Sequence, residues 1–194
     1  MRLTNDEFVN QDVFGSQPHI FYGSAAITGS AQPFSGKPLG SKYIRNGAGF
    51  VHEYMKLQNK GANADWVLLQ GVVIDTIGFA DFTDSTGTTG TFTMTGDIPI
   101  GAEVSRVDLR SITGFTGDPS TATIQVGVSG TVARYTTATP SVYATAEMVD
   151  AGAVSGTAIH TAAVSPLVTV TAASDWGAVT AGEVTVAIWF NGVV

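Results

Sequence analysis

The sequence predicts a mainly β protein, in which a small β-hairpin module precedes a C-terminal antiparallel β-sandwich or jelly-roll-like domain. Three observations lead to this prediction. Apolar and polar residues alternate in several short runs of the second half. Turn-forming segments such as GDIPIG, GDPS and GAVTAG separate those runs. Charged residues make up only 13% of the chain, and Thr, Ser, Ala, Val and Gly, which suit strands and turns, take their place.

The clearest alternation lies in the C-terminal half. In VSRVDLRSI, Val107 and Leu109 alternate with charged residues, and in TATIQVGVS the apolar side chains fall on every second residue. In EVTVAIWFN, Val184, Val186, Ile188 and Phe190 share one face, and Trp189 lies on the opposite one. No segment in this half has the apolar stripe of a helix, so antiparallel strands are expected throughout it.

The predicted hairpin module spans residues 41–74, with candidate strands SKYIR, FVHEYMKLQ and ADWVLLQGVV. In the second candidate, the even-numbered residues from Phe50 to Lys56 share one face. A helix is the alternative there, because Glu, Met, Lys, Leu and Gln favour helices. The flanking Gly and Asn residues favour the strand. We expect residues 66–69 to pack against Phe50 or Tyr54.

Two further segments complete the predicted domain organisation. Residues 1–40 have no period and contain many large apolar side chains, which predicts an N-terminal arm. The arm either covers its own domain as an irregular wrap or extends onto a neighbouring subunit. Residues 75–90, which end in DFTDSTGTTG, are predicted to be a linker, and the sandwich occupies residues 91–194.

Composition and charge restrict the classes of partner. The chain has no cysteine, which excludes disulfides and thiolate metal sites. Up to Ile74 there are six basic and five acidic residues, whereas from Asp75 onward there are three basic and eleven acidic ones. A strongly acidic half repels phosphates, so no direct nucleic-acid partner is expected. The N-terminus lacks the apolar run of a secretory signal, and no apolar stretch is long enough for a membrane span.

No residue pattern in the chain predicts catalysis or a cofactor. His19, His52 and His160 are too far apart in sequence to suggest a metal site. The segment DFTDSTG lacks the alternating ligands of a calcium loop. The chain also lacks the nucleophile-elbow, P-loop and dinucleotide-binding motifs. We therefore expect a protein that is not an enzyme and that has no catalytic residues, metal or cofactor.

The aromatic residues suggest one possible binding site. Trp66, Trp176 and Trp189 together with Tyr135 and Tyr143 would suit a platform on which sugars stack. The alternative, which the sequence favours, is that the Trp189 side chain fills a subunit interface or a second buried layer.

Two segments carry a resemblance to a known class of proteins. GSKYIRNGAGFVHEYMKLQNKGANADWVLLQGV resembles a hairpin module of structural proteins from tailed bacteriophages. The residues that carry this match are Gly40, Tyr43, Tyr54, Lys56, Gly61, Asp65 and Trp66. MTGDIPIGAEVSRVDLRSITGFTG, followed by TIQVGVSGTVARY, is similar to the sandwich domain of phage virion proteins. Together the two likenesses cover residues 40–70 and 91–194.

The resemblance implies a non-enzymatic virion structural protein, made in the bacterial host cytoplasm and located on the capsid surface. Within that class we expect a capsid decoration (cement) protein that binds across capsid subunits and stabilises the head. Its expected partners are the major capsid protein and further copies of itself in a homotrimer. The alternative is a tail or head fibre or appendage domain that binds a host receptor or glycan.

The expected partner-binding residues are large apolar side chains of the arm, the lysines of the N-terminal part and one tryptophan. They are Phe8, Phe14, Phe21, Tyr22, Lys37, Lys42, Lys56, Lys60 and Trp189. All four lysines of the chain lie between residues 37 and 60. We therefore expect the lysine-bearing module to meet an acidic capsid surface, with the acidic sandwich projecting outward.

Overall fold

The computed structural model describes residues 18–24, 37–58, 65–85, 87–154 and 159–193. These residues form two β-sheets, and the buried side chains of both sheets belong to one hydrophobic cluster. The predicted mainly β fold is therefore confirmed. No helix in the described part of the chain has the length and apolar composition needed to cross a membrane.

The described residues contain eleven strands. In chain order they are β1 (Ile20–Gly23), β2 (Lys42–Gly47), β3 (Phe50–Lys56), β4 (Trp66–Gly78), β5 (Thr83–Asp84), β6 (Thr89–Thr93), β7 (Ala102–Thr116), β8 (Ala122–Gly127), β9 (Ala146–Val149), β10 (Leu167–Ala172) and β11 (Ala181–Gly192). Short 3₁₀ turns at Phe79–Asp81 and Trp176–Ala178 follow β4 and β10. The strand interpretation of FVHEYMKLQ is confirmed by β3, and the helical alternative is wrong.

The larger sheet joins the predicted hairpin module to the sandwich. Its order is β1-β2-β3-β4-β11-β7-β9, and its pairs are antiparallel except β1 with β2. Strand β4 pairs with β3 on one side and with β11 on the other. The predicted boundary after Ile74 therefore falls inside a strand. Residues 75–90 are not an irregular linker, because they contain the end of β4, all of β5 and the start of β6.

The described part of the predicted arm belongs to the same sheet. Residues 20–23 form the edge strand β1, which runs parallel to β2. The Phe21 side chain is fully buried within its own chain. This short stretch therefore covers its own domain, as in the wrap alternative. Residues 1–17 and 25–36 lie outside the described residues.

Alternation in β11 sets the two faces of the larger sheet. Val184, Val186, Ile188 and Phe190 are buried on the inner face, as predicted, while the Trp189 side chain points to the outer face. Strand β4 has a bulge where it pairs with Glu53 and Tyr54. The inward-facing residues of β4 have even numbers before the bulge and odd numbers after it. The bulge keeps both halves of β4 in register with the apolar face of the sheet.

The smaller sheet has the order β5-β6-β10-β8 and packs on the inner face of the larger one. Aromatic rings fill the space between the two sheets. The Phe82 ring lies 5.7 Å from that of Phe115 and 5.2 Å from that of Trp176. The Trp176 ring occupies the space above Gly90 where any larger residue would place its Cβ. A large indole and a residue without a side chain therefore complement each other at this point of the core.

Substitution of Ile188 tests the assignment of faces. The side chain is fully buried between the sheets, so Ile188→Ala should lower the free energy of unfolding by about 2–5 kcal/mol through lost burial and a residual cavity. Ile74→Ala is the matched control, because Ile74 lies on the outer face of the neighbouring strand and is 40% exposed. The control substitution should lower the free energy of unfolding by less than about 1 kcal/mol. If urea denaturation showed equal losses of unfolding free energy in the two variants, the assignment of faces would be wrong.

Candidate functional site

The outer face, defined as the side of the larger sheet that points away from the smaller sheet, carries a row of facing side chains across four strands. Val51, Val72, Trp189 and Arg106 occupy paired positions on β3, β4, β11 and β7. Val51 and Ile74 on this face are exposed, and Trp189 is half-buried. The outer face is therefore partly apolar at the centre of the sheet.

A depression with a volume of about 340 Å³ lies along this row. Its apolar lining comes from Ile44, Val51, Val72 and the Trp189 indole. Gly71 is also part of the lining, and an added Cβ there would lie 2.5 Å from the Phe190 ring. The absence of a side chain at Gly71 thus lets Phe190 pass beneath this part of the sheet.

The Trp189 ring is held by charged neighbours on β7. Its Nε1 donates a hydrogen bond of 2.9 Å to Asp108 Oδ2, and the Arg106 guanidinium carbon lies 5.1 Å from the ring centroid. Asp108 also forms ion pairs with Arg106 at 3.0 Å and with Arg110 at 3.2 Å. One carboxylate therefore orients both the indole and the cation beside it.

Glu53 forms the opposite rim of the depression. Its Oε1 lies 2.6 Å from Lys42 Nζ, and Gln70 Nε2 donates to its Oε2 at 3.0 Å. The hydrogen bonds from Lys42 and Gln70 lower the pKa of the Glu53 carboxyl, against a smaller opposing effect of burial. The carboxylate is therefore ionised at neutral pH, and the Lys42 ammonium balances its charge.

A second region, where β1 and β2 lie, is called here the hairpin surface. It comprises Ile20, Tyr22 and Lys42 on the outer face of these strands, together with Lys37 and Leu39 in the segment that leads into β2. The three apolar members are 48%, 44% and 53% exposed, in that order. Their exposure makes this region a candidate for contact with another protein.

Four of the residues that carried the phage resemblance build the interior of the hairpin: Tyr43, Tyr54, Lys56 and Trp66. The Tyr43 ring lies 6.4 Å from the rings of both Tyr54 and Trp66. Lys56 is also fully buried, and its Nζ donates a hydrogen bond of 2.8 Å to the Lys37 backbone carbonyl. Trp66 therefore packs against Tyr43, which was not among the expected partners Phe50 and Tyr54.

The structure places the predicted partner-binding residues in different environments. Tyr22 and Lys42 lie on the outer face of β1 and β2, and Trp189 lies on the same face of β11, whereas the Lys37 Nζ lies 4.8 Å from the centroid of the Phe21 ring. Phe21 and Lys56 are buried in the chain itself and present no side chain for a partner, which corrects their expected role. The remaining predicted residues lie outside the described part of the chain: Phe8, Phe14 and Lys60.

The five aromatic residues do not form the platform that the sequence left as the less favoured alternative. Trp66, Trp176 and Tyr135 are buried in the core, and Trp189 lies half-buried on the outer face. Sequence reasoning also missed Gln70 and the other polar residues around the depression. The alternation that turns Trp189 outward was the available sequence signal. It identifies the depression only once the pairing of β3, β4, β11 and β7 is known.

Metal ligands do not cluster in the part of the chain that the structure describes. No group of three or more His, Cys, Asp or Glu side chains lies together there as a metal ion would require. His52 and His160 are both buried, and the Tyr135 hydroxyl lies 2.9 Å from His160 Nε2. Burial lowers the pKa of His160 and raises that of Tyr135 to about 12.

His52 lies on the inner face beneath the hairpin, among aromatic rings. Its ring centroid is 4.7 Å from that of Phe50 and 5.4 Å from that of Phe190. Burial, followed by the positive charge of Arg45, lowers the pKa of His52 to about 4, against smaller opposing effects of Asp97. The imidazole is therefore neutral in the folded protein at neutral pH.

Comparisons with known proteins add one structural likeness. No family model matches the chain. No curated protein matches it either. Among solved structures, the chain is similar to part of the cyanophage Pam1 capsid asymmetric unit, with 19% sequence identity and a TM-score of 0.43. The match covers 64% of this chain and 85% of that one.

The buried imidazole predicts a specific pH dependence of stability. The unfolded chain takes up a proton at His52 near pH 6.5, whereas the folded chain takes it up only near pH 4. Between these values the unfolded state binds more protons, so stability falls as the pH decreases through this window. We expect a loss on the order of 1–2 kcal/mol from this residue, after allowance for solvent screening.

The variant His52→Phe isolates this contribution, because Phe fills a similar volume and does not titrate. Urea denaturation of both proteins from pH 7 down to pH 4 should show that the free energy of unfolding falls less steeply in the variant. The informative quantity is the difference between the two proteins in the slope of the unfolding free energy against pH, since His160 and the carboxyl groups are present in both. Parallel pH curves would contradict the depressed pKa of His52.

Proposed function

We propose that the protein is a structural component of a phage virion, and specifically a capsid decoration protein on the outside of the head. The observation that supports this role best is the hairpin surface, where the exposed side chains of Ile20 and Tyr22 lie beside Lys42 at one end of a broad sheet. The proposed role is mechanical and involves no turnover of substrate. The proposed partners are the major capsid protein and two further copies of this chain.

The exposed apolar side chains provide the driving force for docking. Ile20, Tyr22 and Leu39 leave large apolar surfaces in water, and each Å² removed from water on docking contributes about 25 cal/mol. A stable interface buries about 800 Å² on each partner, so neighbouring parts of the hairpin must take part.

The distribution of charge orients the protein on an acidic surface. The part of the chain up to Ile74 carries a net charge of +1, and the remainder carries −8. An acidic capsid would therefore attract the hairpin end and repel the sandwich. Lys42 contributes to this end, although the ion pair with Glu53 offsets part of its charge. The sandwich would consequently project away from the shell.

Binding across capsid subunits stabilises the shell through mass action. A protein that binds the assembled shell and not its separated subunits shifts the equilibrium toward assembly in proportion to its occupancy and affinity. The continuous sheet suits this role, because the hairpin strand β3 and the sandwich strand β11 both pair with β4 and are thereby joined in one ladder.

The double substitution Tyr22→Ser with Leu39→Ser tests the docking surface. Loss of two exposed apolar side chains should weaken binding to purified heads of the phage that carries the gene by at least about tenfold, with little change in the stability of the isolated protein. Met148→Ser is the control, since Met148 is 66% exposed on β9 at the opposite edge of the same sheet.

The measurement is the number of copies on each head by quantitative gel, together with the melting temperature of the heads. Hundreds of copies and a raised melting temperature are expected for a decoration protein. A handful of copies, or none on heads and some on tails, would contradict the decoration role and favour the fibre or appendage alternative. Equal weakening by the control would show that the hairpin surface is not the docking site.

A further inference from the structure

We infer that the depression on the outer face is a binding site for a neutral saccharide, with the Trp189 indole as its aromatic wall. The depression adjoins the hairpin surface, because Lys42 is paired with the rim residue Glu53, but binding of a saccharide there does not require a virion role. The shape of the depression, the fixed position of the indole, the paired charges around it and the polar groups at its rim support the inference.

The shape of the depression suits a small ligand. Its volume of about 340 Å³ lies at the lower end of the range of small-molecule sites, about 300–1,000 Å³. A protein partner needs a much wider contact, about 800 Å² on each side. The depression is thus of the size that one or two sugar units would fill.

The aromatic wall is already in place before any ligand binds. The Trp189 ring is fixed against β7 by the hydrogen bond from its Nε1 to Asp108 and by its contact with the Arg106 guanidinium. Ser105 Oγ donates to the Trp189 backbone carbonyl at 3.2 Å and ties the two strands at the same point. A ligand that packs on a fixed ring loses less free energy to the ordering of side chains.

Three cations and two carboxylates surround the depression, and each carboxylate is already paired, so neither is free to bind a cationic ligand. The Glu53 carboxylate is paired with Lys42, and the Asp108 carboxylate lies between Arg106 and Arg110. A strongly anionic ligand would have to compete with Asp108 for its arginine partners. The net charge of −7 also argues against nucleic acid as the occupant.

The rim offers the groups that recognise hydroxyls. Gln70 and Asn191 occupy paired positions on β4 and β11 and both side chains are exposed beside the depression. Each amide supplies donors and an acceptor, as a sugar hydroxyl does. Val51, Val72 and the indole provide the apolar surface against which the C–H face of a sugar ring packs. This combination of apolar wall and amide rim matches a ring compound that is apolar on its faces and polar at its edges.

The test uses the full chain and a panel of neutral saccharides. The panel contains glucose, galactose, mannose, rhamnose, N-acetylglucosamine and N-acetylgalactosamine, with α- and β-linked disaccharides of each. Saturation-transfer NMR detects binding, and the indole N–H resonance of Trp189 reports its location. At least one panel member should bind with a Kd of about 1 mM or tighter and shift that resonance.

Two variants and a control locate the site. Trp189→Ala removes the wall and Gln70→Leu removes the rim amide, so each should weaken binding at least about tenfold. Ile74→Ala should leave binding unchanged, because Ile74 lies on the same face outside the depression. Thermal melting of each variant establishes that it is folded. Gln70 is exposed, so its variant keeps the test decisive even if Trp189→Ala fails to fold.

Several outcomes would overturn the inference. The first is that no panel member binds at concentrations up to about 20 mM. The second is that binding survives in both variants. The third is that only acidic oligosaccharides bind. The fourth is that Trp189→Ala abolishes attachment to phage heads in the absence of sugar, which would show that a protein occupies this face.

Discussion

The structure depends on the burial of alternate side chains along β11, the one strand that holds the hairpin strands and the sandwich strands together. Its partners are β4 on one side and β7 on the other, over most of its length. Val184, Val186, Ile188 and Phe190 fix which face is inside, because a slip of one residue would replace them there with the outward-facing residues of the strand, which include Thr185 and Asn191. The same constraint places the Trp189 side chain on the outer face.

Irregularities in the neighbouring strands preserve this arrangement. The bulge in β4 and the register shifts between β7 and β11 allow long strands to twist while their apolar residues stay inside. Ser111 has a positive φ of 52° within β7, a conformation that costs energy for a residue with a side chain. The packing around it therefore stabilises a backbone shape that the residue alone would not adopt.

Much of the fold follows from local sequence, and the candidate sites do not. Period-2 alternation identifies β8 and β11, and glycines around β3 favour a strand over a helix. The extent of β4 could not be predicted, because its bulge interrupts the alternation that marks a strand. Strand β1 was missed since four residues carry too little pattern and its parallel partner lies distant in sequence. The depression was missed because Gln70, Arg106 and Trp189 meet only through long-range pairing.

The shared strands determine how the molecule carries load. Strand β4 is bonded to β11 from Gln70 to Gly78 and to β3 from Trp66 to Val73, so tension along the hairpin acts parallel to both ladders. Backbone hydrogen bonds stressed in this direction share the force and must rupture together, whereas bonds stressed across the strands open one at a time. A pull along β4 thus meets the sheet in its most resistant orientation.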